Sequence, residues 1–311
     1  MSYSLTDINF RTVSDPKGFL EESDAVYEQK VRTAADRITA HLHESPIVLL
    51  SGPSGSGKTT TAEKIAAELN RRGVGTHYVG MDDYFNTVTP ETVPRTPEGE
   101  MDLESPLCLD MALLNRHFDQ LSRGERIYVP KYEFARQMRV QEGGKSIKPG
   151  KDEVVIFEGI HALNDMITDA HPEAFKLYIS ARSDVYFEEH IVFKRTWFRL
   201  VRRMVRDYNF RGSDPLETMR MWDNVRRGEI EYISPYKDKA DYQFDTSFPY
   251  ELCVMNETAT KLFQSVPEGI GRFEELRRVL PALQLFGMID SALVAEDAMI
   301  REFIGFDDDR K

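Results

Sequence analysis

The chain has 311 residues, a formal net charge of −12 and 41% hydrophobic residues. That composition supports a sizeable core and excludes a disordered or repetitive protein, and its acidic balance argues against a general nucleic-acid binder. Cys108 and Cys253 lie in segments without metal-ligand spacing, so a disulfide framework is not expected and a reducing cytoplasm fits. Met1 to Arg11 lacks the basic start and apolar stretch of a signal peptide, and no apolar run approaches the ~20 residues that span a bilayer.

In chain order, Glu21 to His43 carries Val26, Val31, Ala34, Ile38 and Leu42 at near-helical intervals, which predicts an amphipathic helix ended by Ser45-Pro46. The apolar run Ile47-Val48-Leu49-Leu50 then leads into Gly52-Pro53-Ser54-Gly55-Ser56-Gly57-Lys58-Thr59 and a helical pattern from Thr60 to Arg72. Strand, glycine loop and Lys-Thr opening a helix form the phosphate-cradling P-loop in its required context. The residues from Gly52 to Thr60, chiefly Gly52, Ser54, Gly55, Ser56, Gly57, Lys58, Thr59 and Thr60, are expected to hold a nucleoside triphosphate through backbone amides and the helix N-terminus. Lys58 reaches the β/γ-phosphates and the Thr59 hydroxyl ligates Mg²⁺ in this reading.

Further strands are expected at Thr76–Gly80, Val154–Phe157, Lys176–Ser180 and Tyr242–Thr246, with helices at 109–123 and 184–206 between them. Strands alternating with helices predict an α/β fold: a P-loop-type parallel β-sheet flanked by helices, with a helical lid. Gly143-Gly144 and Pro149-Gly150 mark a small hairpin excursion within 126–153. The tail reads as helices at Phe273–Leu283 and Met288–Ala298. Three regions result: an N-terminal helical extension over 1–45, a P-loop domain over 46–255 and a C-terminal helical extension over 256–311.

Three segments carry chemistry. Val154-Val155-Ile156-Phe157-Glu158-Gly159 places Glu158 at the carboxyl end of a strand, where it holds Mg²⁺ through water or, more blandly, caps a turn. Val79-Gly80-Met81-Asp82-Asp83 places Asp82 beside the γ-phosphate, where a hydroxyl acceptor needs a base; a surface acidic turn is the alternative. Arg199, Arg202, Arg203 and Arg206 fall at i, i+3, i+4 and i+7, so four guanidiniums share one helix stripe. A lid closing on polyphosphate is favoured over a solvated face or an RNA-contacting stripe.

Taken together, the motifs resemble the uridine kinase and phosphoribulokinase family. They are Gly-Pro-Ser-Gly-Ser-Gly-Lys-Thr at 52–59, Asp-Asp-Tyr-Phe at 82–85, Pro130-Lys131-Tyr132-Glu133-Phe134, Glu158-Gly159-Ile160-His161, and Arg199 through Arg211-Gly212. The resemblance covers about residues 46–255 and implies an ATP- and Mg²⁺-dependent kinase. It makes Asp82 the catalytic base and gives Lys58, Arg206 and Arg211 to transition-state charge and Arg202 to the nucleotide. Asp83, Tyr84, Glu104, Tyr132, Phe134, Gln137 and Arg199 are placed with the substrate, and Thr59 and Glu158 with the metal. Glu104 falls where uridine kinases carry an aspartate for ribose hydroxyls, and Tyr132 and Phe134 where aromatics line the base pocket.

Gln137 and Met221 stand where nucleoside-specific members carry a histidine and a glutamine, which makes the kinase reading firmer than the uridine reading. The expected substrate is a small nucleoside-like molecule, uridine or cytidine first. Other hydroxyl acceptors, such as a sugar phosphate or a pantothenate-like molecule, stay open, as does an ATP-binding regulatory or RNA-associated role. No membrane or nucleic-acid partner is expected, and the family's habit of assembling points weakly to a homo-oligomer.

Overall fold

The computed structural model describes residues 2–267 and 274–306. The chain starts with a short strand, β1 (Ser2–Ser4), and two helices, α1 (Leu5–Ser14) and α2 (Pro16–His41). Asp15 separates the helices: its carboxylate accepts from the Gly18 amide, and Pro16 takes the first helical turn, where its missing N–H costs nothing. The helix expected from Glu21 to His43 is thus the later part of a longer one.

The nucleotide-loop strand β2 (Ile47–Ser51) is buried along its whole length and leads through the loop into α3 (Lys58–Arg71) and β3 (Gly75–Gly80). Then come α4 (Met111–Ser122), the expected hairpin β4 (Ile127–Glu133) and β5 (Met138–Ile147), β6 (Glu153–Glu158), α5 (Asp165–Thr168) and β7 (Phe175–Ser180). After these follow β8 (Asp184–Phe187), β9 (His190–Phe193), α6 (Arg195–Arg211), α7 (Pro215–Gly228), β10 (Tyr242–Asp245), α8 (Glu251–Gln264), α9 (Glu274–Leu283) and α10 (Arg301–Ile304).

Five strands form the central sheet in the order β10-β7-β2-β6-β3, every neighbouring pair parallel. The period-two alternation of side chains splits β2 between two cores. Val48 and Leu50 join α2, α3 and α8 on one face, while Ile47 and Leu49 join α4 and the hairpin on the other. Both faces being covered explains why these strands read as continuous apolar runs. The carboxyl ends of β2, β3 and β6 lie side by side, which gathers the glycine loop, the Asp82 turn and Glu158.

Two expected helices differ in the structure. Residues 184–193 form the β8–β9 hairpin around Glu188 at φ 53°, with β1 added parallel to β8, and α6 begins only at Arg195. Val185 and Phe193 are buried by that pairing, and Asp184 Oδ1 accepts from the Arg195 amide at 2.7 Å, so tertiary pairing overrides the helical pattern there.

In the tail, α9 matches the expected helix, whose first residue Phe273 lies outside the described residues. Residues 288–298 are an irregular strap with a short 3₁₀ turn at Ser291–Leu293 and a further turn at 296–297 instead of a helix. The Arg301 guanidinium donates to the carbonyls of Ser291, Val294, Ala295 and Gly305, satisfying groups that a helix would have paired internally. Among the described residues no helix is long and apolar enough to cross a membrane.

Candidate active site

The glycine loop is shaped by what its glycines exclude. A Cβ on Gly52 would lie 1.9 Å from the Ile179 carbonyl oxygen, so only glycine lets β2 turn away from β7 there. Gly57 caps α3 at φ 78° without any side-chain hydrogen bond, which leaves the first amides of α3 pointing into the loop. Ser56 Oγ is buried and has no hydrogen-bond partner. An uncapped helix N-terminus, an orphaned hydroxyl and the Lys58 ammonium fit a polyphosphate.

Lys58 Nζ lies 3.9 Å from Glu158 Oε1 and donates to the Pro53 carbonyl at 3.3 Å. Burial pushes the Lys58 ammonium below its ordinary range, with Glu158 opposing that shift. Thr59 Oγ1 is 3.4 Å from Glu158 Oε2, which also accepts from the Tyr78 hydroxyl at 2.9 Å. A hydroxyl and a carboxylate side by side suit Mg²⁺, which takes few protein oxygens and completes its shell with phosphate and water.

Asp82 opens the 3₁₀ turn Met81–Tyr84 at the end of β3. Its carboxylate faces the cleft, yet burial by the cleft walls and then the Glu158 charge raise its pKa to about 6, with Lys58 and Arg211 working against them. Arg206 and Arg211 both ion-pair with Asp207, at 2.8 and 3.6 Å; Arg206's charge is felt at Lys58 and Arg211's at Asp82. The residues expected to carry the chemistry are therefore assembled.

The rest of the arginine stripe is used differently from expectation. Arg202 is fully buried: its Nε donates to Glu251 Oε2 at 2.6 Å, and its remaining donors go to Thr246 and the Gly55 carbonyl. It braces the loop from outside and has no exposed donor left for a nucleotide phosphate. Arg199, expected at the substrate, is 2% exposed, ion-paired with Glu229, and donates to the Ser54 carbonyl at 3.2 Å. The helix stripe placed these guanidiniums correctly, but the carboxylates they meet come from after α7 and from the start of α8. Arg203 bonds Ser54 Oγ at 2.9 Å and exerts its charge on Glu104.

On the acceptor side, Tyr132, Phe134 and Phe85 form a three-ring cluster with centroid separations of 5.1–6.1 Å. Phe134 is 61% exposed and Tyr132 8%, so the cluster presents the Phe134 ring to the surface, propped edge-on by the other two. Asp83 supports it indirectly by accepting from the Tyr132 amide at 3.2 Å.

Tyr84, expected at the substrate, is instead a core residue with no exposure, its hydroxyl bonded to His117 Nδ1 at 2.7 Å. Gln137 turns the hairpin at φ 51° with its side chain exposed, while its carbonyl accepts from the Val88 amide. Glu104 packs against Gly228, and burial raises its pKa above the ordinary range, with Arg203 opposing. Buried Asp102 beside it is bound by Arg227 and the Tyr232 hydroxyl, at 2.7 and 2.8 Å.

Four contributors had no assigned role in the sequence. Tyr78 adjoins a motif and Phe85 ends one, but neither was among the residues given a contact. Glu302 comes from the tail: the Thr60 hydroxyl, expected on the nucleotide, donates to its carboxylate at 2.6 Å. Met299 lies against Gly57, where a Cβ would come 2.8 Å from its sulfur. No local pattern announces such a contact, because it joins residues 242 positions apart.

Comparison with known proteins gives the family. Uridine kinase of Saccharomyces cerevisiae is 30% identical over 197 residues, 63% of this chain and 36% of that protein, so the match spans about a third of the yeast relative. Uridine kinase of Deinococcus deserti is 28% identical over 201 residues, 64% of this chain and 87% of its own length. A solved D-glycerate 3-kinase from Cryptococcus neoformans overlaps 86% of this chain and 90% of its own at 15% identity and a TM-score of 0.36, too slight a likeness to bear on the substrate. The sequence model of the phosphoribulokinase / uridine kinase family matches residues 47–249, which hold the glycine loop, Asp82, Glu158 and the arginine helix, and the chain belongs to that family.

Proposed function

We propose that the protein is an ATP- and Mg²⁺-dependent kinase that phosphorylates a hydroxyl of a nucleoside-like small molecule, in first place the 5′-hydroxyl of uridine or cytidine. The observation that carries this reading is Asp82: a carboxylate at the cleft whose pKa is raised to about 6 by burial and by Glu158, with Lys58 working against both. The loop amides, Ser56 and Lys58 hold the triphosphate, and Thr59 and Glu158 hold the metal. Bound ATP supplies the phosphoryl group and Mg²⁺ offsets the charge on its oxygens. Asp82 accepts the proton of the acceptor hydroxyl, while Lys58, Arg206 and Arg211 offset charge on the phosphoryl in flight. Glu104 accepts from vicinal hydroxyls, and the rings of Phe85, Tyr132 and Phe134 cover a planar base.

A sugar phosphate is the weaker reading. Arg95, the cation upstream of Glu104, donates to carbonyls of its own loop at Pro90 and Gly99. Arg227 is held by Asp102 and Glu231, and Arg203 by Asp207. Kinetics across a panel of nucleosides, sugar phosphates and vitamins test the choice. Uridine or cytidine is expected to give the highest kcat/KM, and a sugar phosphate leading the panel would replace this acceptor.

Glu302 bears on the donor side. Its charge sits on the Thr60 hydroxyl in the first turn of α3 and acts on Lys58, so it opposes a polyphosphate. Glu302→Gln is expected to tighten ATP binding roughly three- to tenfold, or about 0.7–1.4 kcal/mol. Titration with a fluorescent ATP analogue reads this; equal or weaker binding by the variant would show that the carboxylate does not oppose the nucleotide.

A further inference from the structure

Beside the glycine loop, a second cavity of about 150 Å³ opens between Pro53, the end of β7, the start of α6 and the exit from α7. None of its walls comes from α3, the Asp82 turn or the aromatic hairpin. Its charge is lopsided: Arg182, Arg195, Arg199, Arg226 and Lys237 line it, and Glu229 is the one carboxylate in the lining. In a chain of net charge −12 such a concentration is not a by-product of composition.

The internal pairing leaves positive charge over. Arg199 and Arg226 share the single Glu229 carboxylate. Arg182 directs its guanidinium to the amide oxygen of Gln243, a neutral partner. Arg195 meets Asp184 only at 3.9 Å and remains 56% exposed. Lys237 forms no ion pair among the described residues. Burial lowers the pKa of Arg199, the deepest of the five, as expected where cations are gathered away from water. The neutral residues Tyr178, Ser180, Thr196 and Ser234 also line it.

The backbone makes this cluster. α7 gives way at Gly228 to one π-helical turn, Glu229–Ile233, which brings Glu229 against Arg199, and the following turn Ser234–Lys239 carries Lys237 to the rim. Within this stretch Arg227 turns the other way, held by Asp102 and Glu231, while Arg226 and Glu229 face the cavity.

We propose that this cavity is a second anion site, distinct from the glycine loop, that takes a phosphate or diphosphate group, either as the free ion or as the phosphorylated end of a small molecule. Guanidinium forks and an ammonium around a pocket of this size match tetrahedral phosphoryl oxygens and leave no room for a whole nucleotide. Arg199 spans the wall between the two sites, with one N–H on the Ser54 carbonyl and another on Glu229, so an anion here lies one side chain from the loop. The site stands on its own chemistry and does not require the kinase reading.

Calorimetric titration of the full chain with inorganic pyrophosphate tests the proposal, because that ion also binds glycine loops and the two sites can be counted. The wild-type chain should take two equivalents. The Lys58→Ala variant should keep the cavity equivalent. Arg182→Ala/Lys237→Ala should lose that equivalent or bind it at least tenfold more weakly, with unchanged turnover as proof of folding. Repeating the titration with a sugar phosphate distinguishes a free ion from a phosphorylated metabolite: tighter binding assigns the metabolite, weaker binding the free ion. One equivalent on wild type, or a second equivalent unaffected in the double variant, would overturn the assignment.

Discussion

Asp82→Asn is expected to lower kcat by roughly 10²–10⁴-fold, the usual contribution of a positioned general base, while ATP binding stays close to that of the parent. Asparagine keeps the shape and loses the proton acceptor. It also removes a negative charge near Glu158 and Lys58, so nucleotide affinity has no electrostatic reason to fall. The same residue sets a pH dependence. With its pKa raised to about 6, Asp82 is ionised and competent above that pH. Activity should therefore decline as pH falls through about 6, when the carboxyl takes up a proton and can accept no other. A kcat/KM profile of the wild-type chain reads this limb directly, since that ratio reports groups of the free enzyme. Parental turnover by Asp82→Asn, or a profile flat to well below pH 6, would remove Asp82 from its role.

The second large effect is on folding. Removing Glu251 leaves Arg202 charged and fully buried, and breaking such a pair typically costs about 3–5 kcal/mol. Since whole-domain stabilities are on the order of 5–15 kcal/mol, Glu251→Ala should shift the urea midpoint strongly or abolish folding at 37 °C. Replacing both partners, as Arg202→Met with Glu251→Leu, should recover part of the loss but not all of it. The guanidinium also holds the carbonyls of Thr246 and Gly55, and those would stay unpaired. A Glu251→Ala chain as stable as the parent would mean that Arg202 is not the brace described.

These two arginine and carboxylate roles show where the sequence is legible. Strand, glycine loop and helix at 47–71 declare themselves because every signal is local: an apolar run, left-handed glycines, a helical period. Asp82 and Glu158 are equally readable, since the ends of parallel strands fix where their side chains emerge. The stripe from Arg199 to Arg206 was visible as geometry, but what faced it was not. Its partners Glu229 and Glu251 lie 30 and 49 residues further on, and the pairing depends on how α7 and α8 return to the loop.

Tyr84 illustrates the same gap. Its neighbours Asp82 and Asp83 point to the cleft and to the hairpin, while the 3₁₀ turn rotates its ring into the core against His117. The tail was least legible. Residues 288–298 have a helical look, yet Arg301 takes their carbonyls, and Glu302 arrives at Thr60 only because α10 packs on α6.

In the proposed reaction Asp82, Lys58, Glu158, Arg206 and Arg211 act together to move a phosphoryl group to a small hydroxyl acceptor. The most direct measurement follows ADP formation and the fate of the γ-phosphate by ³¹P NMR, with and without a mixture of nucleosides. ADP should appear only when an acceptor is present, and its phosphorus partner should be a phosphate ester in equal amount. Release of inorganic phosphate at the same rate whether or not any acceptor is added would contradict the proposed reaction.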